Sequence, residues 1–136
     1  MNDGGVIPVD AQQFLLRQID SIAQLEGLLW LRAHAGQAWD AATLARHLYI
    51  ADDEARAVLD QLVARGLVAA EEGAGPRHYL YRPETHELDA MVGRIDDLYR
   101  RYLIPVTNLI HAKPQDRSKS RIAAFADAFR LRKDKP

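Results

Sequence analysis

At 136 residues, 48% hydrophobic and 27% charged, the chain holds enough apolar material for one globular domain to bury a core without covalent staples. It has no cysteine, which excludes disulfides, thiolate metal sites and cysteine nucleophiles. The net charge of −1 hides a gradient: residues 1–50 hold three Arg against five acids, 51–90 four Arg against nine acids, and 91–136 eleven Lys/Arg against five acids. No apolar run approaches the ~18–20 residues that span a bilayer. The opening MNDGGVIPVD lacks a basic-then-apolar signal, so a cytoplasmic protein is expected.

From Asp10 the pattern becomes helical, with Phe14, Leu15 and Ile19 on one face. Ser21 followed by Gln24 resembles a capping box that starts a second helix at Ile22, and His34-Ala35-Gly36 offers its stop. After a short Gln37-Ala38-Trp39, Asp40 is a good N-cap for a helix over 41–48, with Leu44, Ala45 and Leu48 inward. Asp52, Asp53 and Glu54 stand where a helix N-terminus favours negative charge. That helix turns Ala55, Val58, Leu59 and Leu62 inward and ends at Gly66. Residues 67–70 read as a strand, 72–76 as turn chemistry and 78–82 as the returning strand.

A further helical segment is expected from Thr85 to about Ala112. Leu88, Val92, Ile95, Tyr99, Tyr102, Val106 and Leu109 follow a coiled-coil heptad spacing, the pattern of a subunit-pairing seam or of internal packing. Pro105 should kink or interrupt it. The last stretch, 113–136, is a basic tail in which Ile122, Phe125 and Phe129 share a face with Arg130 and Arg132 nearby. It suits contact with a protein partner or an extra anchor on DNA; a membrane surface is not the expected partner. Trp30 and Trp39 are expected in or beside the core.

The order of elements, and the segment TLARHLYIADDEARAVLDQLVARGLV in particular, resembles the winged helix-turn-helix superfamily. The resemblance rests on Leu44-Ala45 opening the second helix, Leu48 ending it, Ile50 in the turn, Val58, Leu59 and Leu62, and Arg65-Gly66-Leu67-Val68 leading to the wing. It implies a mainly α fold with a small β-hairpin wing. The arrangement it suggests is an N-terminal arm and flanking helix (1–20), a winged domain (21–83), a long dimerisation helix (84–112) and the tail (113–136). With flanking helices on both sides, the layout is similar to the MarR and PadR families of dimeric bacterial transcriptional regulators. The expected function is therefore a DNA-binding regulator working as a homodimer, with double-stranded DNA as its ligand.

By that resemblance the helix from Asp52 enters the major groove and the wing touches the backbone. The DNA-binding candidates are Thr43, Arg46, Glu54, Arg56, Arg77 and His78. Three successive acids at the tip are an electrostatic obstacle, because each carboxylate repels a phosphate by ~1 kcal/mol at 4 Å even in water. One glutamate can accept from cytosine N4; three are harder to place as readout. The charge pattern thus leaves open a second class of function, a winged-helix adaptor that binds protein and not DNA.

Catalysis finds no support. The five His (34, 47, 78, 86, 111) lack metal-ligand spacing, and His86-Glu87 has Ala90 where a second His would stand. Gly73-Ala74-Gly75 is a turn with no Gly-Lys-Ser/Thr after it. No enzyme activity, cofactor or metal is expected.

Overall fold

The computed structural model describes residues 6–112. The expected tail contacts Ile122, Phe125, Phe129, Arg130 and Arg132 lie outside the described residues. Six helices and three strands are described: α1 (Val9–Gln18), α2 (Ile22–Ala33), β1 (Trp39–Asp40), α3 (Ala41–Leu48), α4 (Asp52–Ala64), β2 (Val68–Glu71), β3 (His78–Tyr81), α5 (His86–Arg101) and α6 (Leu103–Ala112).

Local chemistry sets most of these boundaries. The Ser21 hydroxyl accepts from the Gln24 backbone N–H at 3.1 Å, and the Gln24 side-chain Oε1 accepts in return from the Asp20 N–H. Asp40 caps α3 by accepting from the Thr43 N–H at 2.9 Å, and Thr85 caps α5 by accepting from the Leu88 N–H at 3.0 Å. Gly66, with φ +76°, turns the chain out of α4; a Cβ there would come within 2.6 Å of the Glu84 side chain.

The sheet is antiparallel in the order β1-β3-β2, with Trp39 opposite Tyr79 and Ala70 opposite Tyr79 on the other edge. One core joins all helices: Leu15, Ile19, Leu25, Leu28, Leu44, Leu59, Leu62 and Leu67 are essentially buried. Gly27 lets α2 approach α3 and α4 closely, since a Cβ there would stand 3.3 Å from Val58 and 3.5 Å from Leu44.

The C-terminal helical segment is interrupted, as Pro105 leads one to expect, but three residues before the proline. It is two helices broken at Tyr102 (φ −128°, ψ 57°), not one long rod. Pro105 has no N–H to offer the Arg101 carbonyl, and its ring would crowd that group. The chain therefore leaves the helix three residues earlier and restarts so that Pro105 falls in the first turn of α6, where an N–H has no intrahelical partner anyway.

Several heptad residues belong to the protomer's own core. Val92, Ile95 and Val106 are fully buried within the single chain, Leu88, Tyr99 and Leu109 are half-buried against the same core, and Tyr102 is half-buried. Their central positions pack inside one protomer, with α1, α5 and α6 forming a layer. Polar links tie this layer down: Arg94 grips Asp10 through two bonds of 2.7 and 2.9 Å, Tyr99 donates to Glu26 at 2.9 Å, and Arg32 pairs with Asp96 at 3.4 Å. Burial and the Glu26 bond push the Tyr99 hydroxyl up to about 12. What remains outside is Val9 and Leu16 on α1 and Leu103 and Ile104 on α6, the last 64% exposed.

Candidate nucleic-acid interface

The interface candidate is built from α3, the turn after it, the first turns of α4, and the β2–β3 wing. Helix α3 is held by its buried Leu44 and Ala45, which leaves Arg46 and His47 exposed and Thr43 half-exposed. Arg46 reaches back one turn to donate to the Thr43 hydroxyl at 3.3 Å, and pairs with no carboxylate among the described residues. Thr43 itself engages Asp40, whose carboxyl is held below the usual carboxylate range by the Thr43 hydroxyl and N–H, with smaller help from His78 and Arg46.

The α3–α4 turn contains Tyr49 in the left-handed region, φ 58° and ψ 46°. It is the one non-glycine with positive φ among the described residues, and its side chain is 94% exposed. Glycine is the residue that adopts this conformation without strain.

Helix α4 buries Ala55, Val58, Leu59 and Leu62 and so turns Asp52, Asp53, Glu54, Arg56 and Ala57 to solvent. Its N-cap is Ala51, which supplies no side-chain bond. The three acids complement the helix dipole but make no hydrogen bond or ion pair with another described residue, so their charge is unneutralised. Arg56 is likewise unpaired among the described residues. With Arg77, Asp52 and Asp40 it lines a cleft of about 310 Å³ between the helix N-termini and the wing.

The wing cation is engaged at home. Arg77 lies 2.7 Å from Glu72 and 3.3 Å from Asp60, and its guanidinium sits 5.5 Å from the centre of the Tyr79 ring. Tyr79, buried, donates to the same Asp60 oxygen at 2.8 Å, which latches β3 to α4. Burial raises the Tyr79 hydroxyl above its ordinary value, and the Asp60 bond adds to it. His78 bonds the Pro76 carbonyl at 2.8 Å.

The structure thus brings Glu54, Arg56, Arg77 and the α3 pair Thr43–Arg46 to the helix-and-wing region, but only two of its arginines are uncommitted. Sequence reasoning missed two features. Tyr49 carries no signal beyond standing where the turn needs a left-handed residue. His34 and His47 are 13 residues apart and meet only because α2 and α3 pack: Trp30 has His34 stacked at 4.2 Å and His47 tilted at 4.6 Å. Trp39 meets Trp30 edge-on at 4.9 Å. Among the described residues no group of three His, Asp or Glu could hold a metal ion, and no helix is long and apolar enough to cross a membrane.

No family model matches the chain, and no curated protein does. Solved structures do resemble it. The homodimeric winged helix-turn-helix DNA-binding domain of a possible ArsR-family transcriptional regulator from Mycobacterium bovis is 17% identical, with 70% of this chain and 83% of that one covered and a TM-score of 0.52. A MepR variant from Staphylococcus aureus bound to an oligodeoxyribonucleotide is 15% identical over 88% of this chain and 84% of that one, also at 0.52. A MarR-family transcriptional regulator from Silicibacter pomeroyi is 17% identical over 94% and 82%, at 0.51. At such identities the likeness is one of fold. The chain therefore has a winged helix-turn-helix fold in a layout like that of these MarR- and ArsR-type structures.

Proposed function

We infer that this protein is a transcriptional regulator that binds double-stranded DNA as a homodimer. The observation that carries the reading is the exposure of the α4 first turns beside the wing, in a fold whose solved relatives include one bound to an oligodeoxyribonucleotide. The apolar side chains left outside on α1 and α6 (Val9, Leu16, Leu103 and Ile104) are the surface that suits a second copy, a role first expected of the heptad residues. Pairing would set two α4 helices side by side, the arrangement that reads two half-sites.

Charge sets the strength of this binding. Arg46 and Arg56 from each protomer supply four free cations, so the logarithm of the affinity should fall with the logarithm of salt at a slope of roughly −4. Such an interface is weak without a base-specific contribution, and Glu54 accepting from a cytosine amino group is one the geometry allows.

The test is fluorescence anisotropy of labelled duplex DNA titrated with the full chain from ~50 mM salt upwards. Arg56→Ala should weaken binding. Glu72→Gln removes one of the two carboxylates that hold Arg77, the other being Asp60, and should raise affinity and steepen the slope by less than one per protomer. No binding at the lowest salt overturns the reading.

A further inference from the structure

We infer that Arg65 is a positioning residue: it pins the far end of α4 to the end of α1 and thereby fixes the separation of the two α4 helices in a dimer. The inference rests on the homodimeric DNA-binding reading and names the side chain that would give that dimer its geometry.

Arg65 is the C-cap of α4, and its backbone N–H bonds the Gln61 carbonyl at 3.0 Å. Its side chain leaves the helix and forks. Nη1 donates to the Arg17 carbonyl at 2.7 Å, and Nη2 donates to the Asp20 carboxylate at 3.0 Å. The carbonyl is one of those that the last turn of α1 cannot satisfy internally. Asp20 stands in the α1–α2 connection with its side chain only 11% exposed, and its N–H is taken by the Gln24 Oε1. A guanidinium is planar and presents its N–H groups in a rigid fork, so both acceptors are held in one geometry.

A directional contact does here what apolar packing does not. Ala55, Val58, Leu59 and Leu62 decide which stripe of α4 turns inward, but the hydrophobic effect is non-directional and constrains the tilt of a helix loosely. A hydrogen bond weakens steeply with angle. With 13 residues, α4 is about 20 Å long. A swing of about 10° at Arg65 therefore carries the Asp52 end by about 3 Å, close to the ~3.4 Å between successive base pairs.

The other end of the clamp connects it to pairing. Helix α1 packs with α5 and α6, and it carries Val9 and Leu16, two of the exposed apolar side chains that suit a second copy. Helix α4 packs with α2, α3 and β2. The Arg32–Asp96 and Tyr99–Glu26 links also join the α1–α5–α6 layer to the winged unit, but they reach it at α2. Arg65 reaches from α4 itself. Where the second copy holds α1 therefore bears directly on where the α4 tip stands.

The chain has no cysteine, so one introduced cysteine labels one site per protomer. We would attach a spin label to Ala57→Cys, an exposed position of α4, and measure the distance between the two labels of the dimer by double electron–electron resonance. The otherwise wild-type chain should give one narrow distribution. Arg65→Gln should spread it over several ångströms. Arg65→Lys keeps a charge beside Asp20 without the fork and should give an intermediate width. Circular dichroism would show that each variant is folded. In parallel, duplexes enriched from a random pool by the unlabelled wild type should bind Arg65→Gln about tenfold more weakly, while an unrelated duplex binds both proteins alike.

An equally narrow distribution with folded Arg65→Gln overturns the clamp and leaves the dimer standing. A broad distribution with both kinds of duplex weakened alike overturns its link to half-site spacing. No dipolar signal from the labelled wild type overturns the homodimer, and this inference with it. A dipolar signal without any duplex binding overturns the DNA reading, while the widths still decide whether Arg65 holds α4.

Discussion

Helices α4 and α5 are both amphipathic and both begin with acids, Asp52, Asp53 and Glu54 in one and Glu87 and Asp89 in the other, yet their polar faces fare differently. The outer face of α5 is spent inside the molecule. Asp89 accepts from Tyr81 at 2.6 Å, Arg94 grips Asp10, Asp96 holds Arg32, and Tyr99 reaches Glu26. The first turns of α4 have no such partners, while its distal Asp60 is bound by Tyr79 and Arg77. A polar side chain with an intramolecular partner has its desolvation compensated and is unavailable; one without remains free for another molecule. By that criterion the approachable part of the winged unit is the tip of α4 with Arg56, joined by Arg46, whose one partner is the neutral Thr43 hydroxyl, and the wing arginine has to be released first.

The sharpest way to break this contrast is in the apolar layer. Ile95→Ala empties a fully buried position and should cost about 2–5 kcal/mol in urea unfolding. Ile104→Ala removes an exposed side chain and should change protomer stability by less than about 0.5 kcal/mol, while shifting the proposed dimer towards monomer in sedimentation. If the two costs are alike, the division of the heptad segment into core and outer surface is wrong.

A smaller effect of opposite sign is expected at the tip. Tyr49 holds a left-handed conformation with nearly all of its side chain in water, so Tyr49→Gly should remove strain and lose little packing. Thermal denaturation should show a gain of up to about 1 kcal/mol. A loss would mean that the ring contributes contacts in the assembled protein.

The smallest effect concerns the α1–α5 link. The Arg94 guanidinium bonded to Asp10 holds that carboxyl below its usual range. A depressed folded value means stability that is present above the ordinary aspartate range and lost as pH falls through the folded value. Asp10→Asn should therefore lower the urea midpoint slightly at pH 7 and have no effect once the wild-type carboxyl is protonated. An equal loss at both pH values would assign the effect to the helix start, not to the ion pair.

Much of the winged unit was legible residue by residue. The caps at Ser21 and Asp40, the helix start at Thr85, the stop at Gly66 and the inward stripe of α4 are local: each depends on side chains within a few positions, so sequence spacing alone specifies them. The trio Asp52–Glu54 was readable as exposed for the same reason. Less legible was the fate of the heptad residues. A spacing of three and four says that a face will be covered, but a neighbouring helix of the same chain and a second copy satisfy that demand equally. The break at Tyr102 was half visible, since Pro105 announces a disruption without saying on which residue it falls.

The amino-acid order by itself determined where most helices and strands of the winged unit begin and end, which stripe of α4 turns inward, and that its tip is acidic, because those are short-range consequences of backbone hydrogen bonding and side-chain solvation. Only the tertiary packing decided that Arg77 meets Asp60, that Val92, Ile95 and Val106 are interior, and that His34 and His47 both contact the Trp30 indole. Those facts depend on distances between elements far apart in the chain, and Coulomb attraction, burial and ring contact all vary with distance in space, not with separation in sequence.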